Sequence, residues 1–362
     1  MNNTLKLLWI PLALLLGACK PEGPQEPDFD RQAMLTHYAD QLILPAYTAL
    51  QTRTAALQAA YTAFDTDRSE ASLAVLRQAW LEAAIAWQSA NAYNFGPAGE
   101  AGIRKGLIEE IGTFPANEAR IEDLIAAGDI SLNNFSRDTR GFPSIEYLIF
   151  GSDQPVSEVL AALEAPSRRA YLGAIVQHLH TRVSETLAAW SSYRADFTAN
   201  AGTDAGSSTS LLYNEFVRSF ESIKNFKVGL PAGLRAGQTQ AAPQLVESRY
   251  AKQSRALMGA HLDAIGRIYY GQGSSDGPGL YEYLRAVTGG PELAAATETQ
   301  WNAVQSALAQ IPAAADFGAL IAAGDPRVAA LHTELQKHTR YFKSDLSSLL
   351  GIAITFSSGD GD

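Results

Sequence analysis

The chain has 362 residues, 46% of them hydrophobic, and a formal net charge of −10. That acidic balance excludes a nucleic-acid binder, which needs a basic face to neutralise phosphates, and argues against electrostatic attachment to anionic lipid. The length fits about two domains, and a single cysteine excludes an internal disulfide, so stability has to come from packing.

The N-terminus opens on Met1-Asn2-Asn3-Thr4-Leu5-Lys6, a short polar stretch with one positive charge, and continues as an apolar run from Leu7 to Leu16 broken only by Pro11. A spanning helix needs roughly twenty apolar residues, and this run is half that. A charged start, a short apolar stretch and small residues before a cleavage point describe a secretory signal over residues 1–18. Leu16-Gly17-Ala18-Cys19 resembles the bacterial lipobox, in which the cysteine becomes the lipidated first residue. That resemblance implies lipidation at Cys19, the membrane as a partner through that lipid, and a place in the cell envelope facing the periplasm, at the outer membrane. Loss of residues 1–18 removes Lys6 and leaves a net charge of −11. Residues 19–28, rich in proline and charge, read as a lipidated cysteine and tether with no means of forming a core.

From Phe29 onward the helical signal dominates. Residues 46–64 place Tyr47, Leu50, Leu57, Tyr61 and Phe64 at spacings of three, four and seven, and Pro45 can kink that helix or start its second part. Residues 69–93 continue with Leu73, Leu76, Trp80, Ile85 and Trp87, opened by Ser69 as an N-cap and stopped by Asn94-Phe95-Gly96-Pro97. Residues 96–165 read as short helices and turns. A long helix is expected over 167–196, ending before a polar, glycine-rich loop at 200–208. Further helices are expected at about 209–228, 243–269, 279–287, 290–310 and 326–350. No alternating strand of useful length appears. The expected fold is therefore all-α, built from bundles, with a boundary near Leu163-Glu164-Ala165-Pro166 dividing an N-terminal bundle (29–165) from a C-terminal one (166–362).

The chemistry-bearing residues form no ready site. The six histidines, His37, His178, His180, His261, His332 and His338, include no His-Glu-x-x-His pattern. His37 and Asp40, three apart, share a helix face as a surface contact. Glu109-Glu110 and Glu122-Asp123 read as solvated acids. No Gly-x-Ser-x-Gly elbow or phosphate loop is present. One segment stands out, Gly141-Phe142-Pro143-Ser144-Ile145-Glu146-Tyr147-Leu148-Ile149-Phe150-Gly151. It reads as a glycine turn, a proline in the first turn of a short apolar helix, and a glycine stop, with Glu146 an early acid favoured by the helix dipole.

This segment resembles the signature of the imelysin-like family, Gly-x-His-x-x-Glu followed by an apolar stretch and glycine. Leu44-Pro45-Ala46-Tyr47, the run from Ala79-Trp80 through Trp87 to Pro97, Glu247-Ser248-Arg249-Tyr250 with Ser254, and the tail from Gly351 to Asp360-Gly361-Asp362 fit the same family in the same order. The resemblance implies two similar four-helix-bundle domains packed side by side, a functional site at their interface, and an envelope role linked to iron uptake. Some members are called insulin-cleaving metallopeptidases. Gly141 and Glu146 match the signature, but Pro143 stands where the histidine belongs. Proline has no side-chain lone pair for a metal. A first-turn position tolerates it, so the departure keeps the fold and removes one ligand of the pair.

The expectation is a lipid-anchored, non-enzymatic binding protein linked to iron or metal uptake, working beside an outer-membrane transporter or other envelope protein. Its site is expected at Gly141, Pro143, Ser144, Glu146, Glu247, Ser248 and Arg249, the two glutamates accepting hydrogen bonds or contacting a cation and Ser144, Ser248 and Arg249 supplying donors. Any cofactor would be iron or another divalent metal, weakly held. The alternatives are a metallopeptidase of the imelysin type and a structural partner of an envelope complex. The anchor has a direct test: Cys19→Ser is expected to move the protein from the membrane to the soluble fraction, and a variant still sedimenting with membranes would refute lipidation.

Overall fold

The computed structural model describes residues 29–100 and 105–356; the signal, Cys19, the tether and the terminal Asp360-Gly361-Asp362 lie outside the described residues. Helix is the only regular secondary structure of the described residues, which contain no strand. Eight helices build the body: α1 (Leu44–Asp67), α2 (Glu70–Asn91), α3 (Gly141–Phe150), α4 (Pro166–Ala199), α5 (Ser208–Ser222), α6 (Ser254–Tyr270), α7 (Gly290–Ala309) and α8 (Pro326–Arg340). The first four pack around one another, α1 on α2 and α4, and α3 between α2 and α4. The last four form a second group, with α7 on α8 and α5 against α6 and α8.

The local rules explain several boundaries. Ser69 caps α2 in a capping box: its hydroxyl accepts from the Ser72 N–H, and the Ser72 hydroxyl accepts from the Ser69 N–H, both at 3.1 Å. Pro45 is the second residue of α1, which continues without a break from a π-helical segment at Tyr38–Ile43; its missing N–H leaves the Gln41 carbonyl, four residues back, without an α-helical donor. Gly271 and Gly351 close helices in the left-handed conformation.

Two expectations are corrected. The helix expected over 243–269 is broken. Pro243–Leu245 is a 3-10 turn, α6 starts only at Ser254, and Ser248 and Lys252 between them have φ of 56° and 58°. The amides of Tyr250 and Ala251 go to the Glu146 carboxyl, so they are not available to a helical ladder. The boundary near 165/166 does not match the packing, because α4 lies against α1, α3 and the other helices of the first group. The change of partners falls between Ala199 and Ser207. A short helix at Phe317–Ala322, capped by Asp316, also went unforeseen.

The two groups share one continuous core, from Trp80, Tyr47 and Trp190 in the first to Phe216, Phe220 and Phe342 in the second. Helices α2 and α6 join them face to face. Gly141 is fixed by this packing. Its φ is +78°, and a Cβ there would strike the backbone of Ile111. Gly141→Ala is expected to cost about 2–5 kcal/mol, from left-handed strain plus backbone overlap, measured by urea unfolding; a loss below about 1 kcal/mol would mean that the backbone at Ile111 yields.

Candidate functional site between the helical groups

The start of α3 is held by side chains of α2. The Trp80 indole N–H donates to the Phe142 carbonyl at 3.0 Å, and Trp87 stacks on the Phe142 ring. Pro143 is the third residue of α3, a place where no intrahelical bond from its nitrogen is needed. One turn later Glu146 is 1% exposed and points out of the first group towards the 247–252 segment. Its Oε1 accepts three hydrogen bonds: from the Ser248 hydroxyl at 3.1 Å, the Tyr250 N–H at 2.9 Å and the Ala251 N–H at 2.7 Å. Burial pushes the carboxyl up to about 8, the three donors only partly opposing it and the Glu247 charge adding to it. At neutral pH Glu146 is therefore largely a neutral acid.

Glu247, next to that turn, pairs with Lys227. The Lys227 ammonium lies 2.7 Å from Glu247 Oε2 and donates to the Gln88 carbonyl oxygen at 2.6 Å, while the Gln88 amide donates to Glu247 Oε1 at 3.2 Å. Burial lowers the Lys227 pKa and the Glu247 charge opposes that shift. The triangle Gln88–Lys227–Glu247 thus joins α2, the π-helical segment Ile223–Gly229 and the 247–252 turn.

Four of the seven expected site residues meet here: Pro143, Glu146, Glu247 and Ser248 line one small space with Gln88 and Trp87. That space amounts to about 10 Å³, room for roughly one water. The other three do not join it. Gly141 serves the backbone approach to Ile111. The Ser144 hydroxyl turns back to the Asp138 and Arg140 carbonyls, both at 3.2 Å. Arg249 faces away to Glu118 at 3.1 Å, so it supplies no donor to Glu146. Sequence reasoning missed Gln88 and Lys227. The signals were Lys227 standing between the apolar Phe226 and Val228 in the Ile223–Gly229 run and a glutamine directly after Trp87 on the buried stripe of α2.

The other acids and histidines have local duties. Glu110, expected to be solvated, is buried and pairs with Arg137 (2.9 Å), Arg140 (3.4 Å) and His178 (3.2 Å). Glu122 accepts from Arg168 and from the Tyr147 hydroxyl. His37 donates to the Gly271 carbonyl, whereas its expected face partner Asp40 is clasped by Arg194. His261 contacts the Ser219 hydroxyl at 2.7 Å. His338 sits among Phe220, Trp301 and Phe342, and burial pushes its pKa down to about 3.

A larger cleft opens beside the small space and shares Trp87, Gly112 and Glu247 with it. Its volume is about 370 Å³. Trp87, Ile108, Phe114, Phe226 and Leu230 give it apolar walls, and Lys227 and Glu247 reach it from below. Glu109 also lines it, with a buried Oε2 that has no hydrogen-bond partner among the described residues.

The family model for imelysin, Peptidase_M75, matches residues 43–345. The chain belongs to the imelysin family. It is 23% identical, over 78% of its length and 77% of the relative's, to the iron-regulated protein A of Synechococcus elongatus. An imelysin-like protein of Psychrobacter arcticum has the same fold, with a TM-score of 0.72 at 23% identity, covering 91% of this chain and 99% of the other. An iron-regulated protein A precursor of Parabacteroides distasonis superposes with a TM-score of 0.71 at 17% identity, covering 88% and 95%.

The metal implied by the imelysin signature does not fit the residues present here. Pro143 offers no ligand, and the Glu146 oxygen meets N–H and O–H dipoles that would repel a cation. The cation beside Glu247 is the protein's own Lys227 ammonium. Among the described residues no three His, Cys, Asp or Glu side chains converge to hold a metal ion.

The Glu146 shift predicts a pH dependence. The folded protein keeps this proton up to about pH 8, whereas the unfolded chain releases it near 4.5. Between those values the unfolded state binds fewer protons, so stability falls as pH rises through that window. Glu146→Gln, a neutral isostere that can still accept the three bonds, is expected to flatten this fall by a few kcal/mol in urea unfolding at pH 5, 6.5 and 8. Glu215, buried and also pushed up to about 8, leaves a residual slope. An unchanged slope would mean that Glu146 is ionised in the folded state.

Proposed function

We propose that this imelysin-family protein is a lipid-anchored, non-enzymatic binding component of the cell envelope, linked to iron handling, and that its ligand seats in the cleft between the two helical groups. The observation that carries this reading is the cleft itself. Its apolar walls surround a buried ammonium–carboxylate pair and a Glu109 oxygen that lacks a partner among the described residues. Ligand sites combine these features: mostly apolar lining with a few convergent polar groups. The names of the relatives, iron-regulated protein A in two bacteria, support the link to iron.

The polar groups favour a chelated metal over a bare one. Lys227 can turn its remaining N–H bonds to carboxylate oxygens of an incoming anion, and Glu109 can accept from a ligand hydroxyl. A metal wrapped in a hydroxycarboxylate presents both. A peptidase would instead need a cation with an open position and a general base. Pro143 and the protonated Glu146 supply neither.

Calorimetry with ferric citrate as the probe tests the proposal. Saturable binding is expected, at least tenfold weaker in the double variant Lys227→Met with Glu247→Gln, which removes the ion pair without stranding one charge. Bare Zn(II) and Fe(II) are expected to bind weakly. No saturable ferric-citrate binding, tight binding of a bare ion that Glu146→Ala abolishes, or metal-dependent hydrolysis of insulin would each overturn this reading.

A further inference from the structure

A second pocket lies at the other end of the seam between α2 and α6. Leu257, in α6, borders the Glu146 space, whereas Arg267, in the pocket, is ten residues further along the same helix, about 15 Å away at the rise of an α-helix. Four parts of the chain wall it: the π-helical segment Tyr38–Ile43 with the start of α1, the end of α2 with Tyr93, the last turns of α6, and the 272–274 loop. Its volume is about 230 Å³.

The rim is held in place. The Gln41 carbonyl accepts from the Ser274 N–H at 2.8 Å, His37 donates to the Gly271 carbonyl at 2.6 Å, and a Cβ at Gly273 would strike the Gln41 carbonyl. The pocket is thus framed by backbone contacts that do not use the polar side chains facing it.

Those side chains are unspent. Gln41, Ser89, Tyr93, Arg267 and Gln272 all line the pocket, and among the described residues none of the five side chains makes a hydrogen bond or ion pair within the protein. Tyr93 is 4% exposed, so its ring is buried while its hydroxyl meets the pocket with no hydrogen bond from the described residues. Burial raises the Tyr93 pKa and the Arg267 charge works against that rise, so the phenol stays a donor and the guanidinium is its electrostatic neighbour. Among the described residues no carboxylate lines the pocket, although the chain as a whole is strongly acidic. Leu42, Pro45, Ala46, Ala49 and Ala264 supply an apolar wall.

We propose that this pocket is a binding site for a small organic anion with a carboxylate head and a short apolar body, the head taken by Arg267 and Tyr93 and the body lying on the Leu42–Pro45 and Ala264 wall. A planar guanidinium grips a carboxylate through two parallel N–H bonds. The phenol adds a third donor, and Ser89 with the two glutamines serves any further hydroxyl or amide of the ligand. The site is separate from the Lys227–Glu247 cleft and stands without it.

Hexanoate, its neutral counterpart hexanamide, and inorganic phosphate serve as probes in calorimetric titration of the full chain. Hexanoate is expected to bind saturably at one site, with hexanamide and phosphate each at least tenfold weaker. Arg267→Met, on an exposed side chain, should weaken hexanoate at least tenfold while leaving the circular dichroism spectrum and thermal midpoint unchanged. Tyr93→Phe should weaken it several-fold and leave the preference over hexanamide in place. Absence of saturable hexanoate binding, equal binding of hexanamide, or affinity unaltered by Arg267→Met would overturn the proposal. Phosphate binding as tightly as hexanoate would overturn the apolar half of it.

Discussion

The hydrogen bonds from the 248–251 turn to Glu146 tie this molecule together. One carboxyl from the first helical group satisfies two backbone amides and a hydroxyl of the segment that leads into the second. Without it, those amides would be buried donors lacking partners, each costing about 1–3 kcal/mol. The left-handed Ser248 and Lys252 could not hold their places unaided. Glu146 therefore sets where α6 begins, and through α6 how the second group lies on α2. The acid accepts three bonds on one oxygen in a space too dry to favour its charge, so it does this work as a neutral group.

The buried Gln88–Lys227–Glu247 triangle is a different kind of link. A buried ion pair seldom stabilises a fold more than apolar packing would, because both charges lose their water. Its value lies in specificity. Gln88 bonds both charged partners, so only one arrangement of α2, the Ile223–Gly229 segment and the 247–252 turn satisfies all three side chains. The same triangle brings a positive charge to an interface in an acidic protein.

Two of the π-helical segments among the described residues lie where pockets open. Ile223–Gly229 carries Lys227 into the interface, and Tyr38–Ile43 exposes the Gln41 carbonyl that receives Ser274. A π turn inserts an extra residue into the i→i−4 ladder and widens it, and such turns often mark functional positions. The cleft and the second pocket thus each owe a wall to a π-helical segment.

The sequence by itself determined the helices of this protein. Apolar spacing of three and four, the Ser69 cap, Pro45 and the glycine stops are local signals, and each acts within a turn or two of chain, so α1, α2, α4 and α7 were legible close to their observed bounds, and α8 at its start. The signature around Gly141 and the loss of its histidine at Pro143 were legible for the same reason. Tertiary structure decided the rest. The 246–253 segment has helical propensity yet is not helical, because its amides are claimed by Glu146 a hundred residues away. Ser144 and Arg249 look like site donors in the sequence but spend their bonds on Asp138, Arg140 and Glu118, and α4 takes its partners from the first group despite following the expected boundary. Gln88 and Lys227 stand out locally only as polar residues in buried runs, and neither they nor Tyr93 and Arg267 show by any spacing that they share a seam. What brings them to the seam is the packing of α2 on α6, a contact between residues far apart in the chain, and no spacing rule along a single helix encodes it.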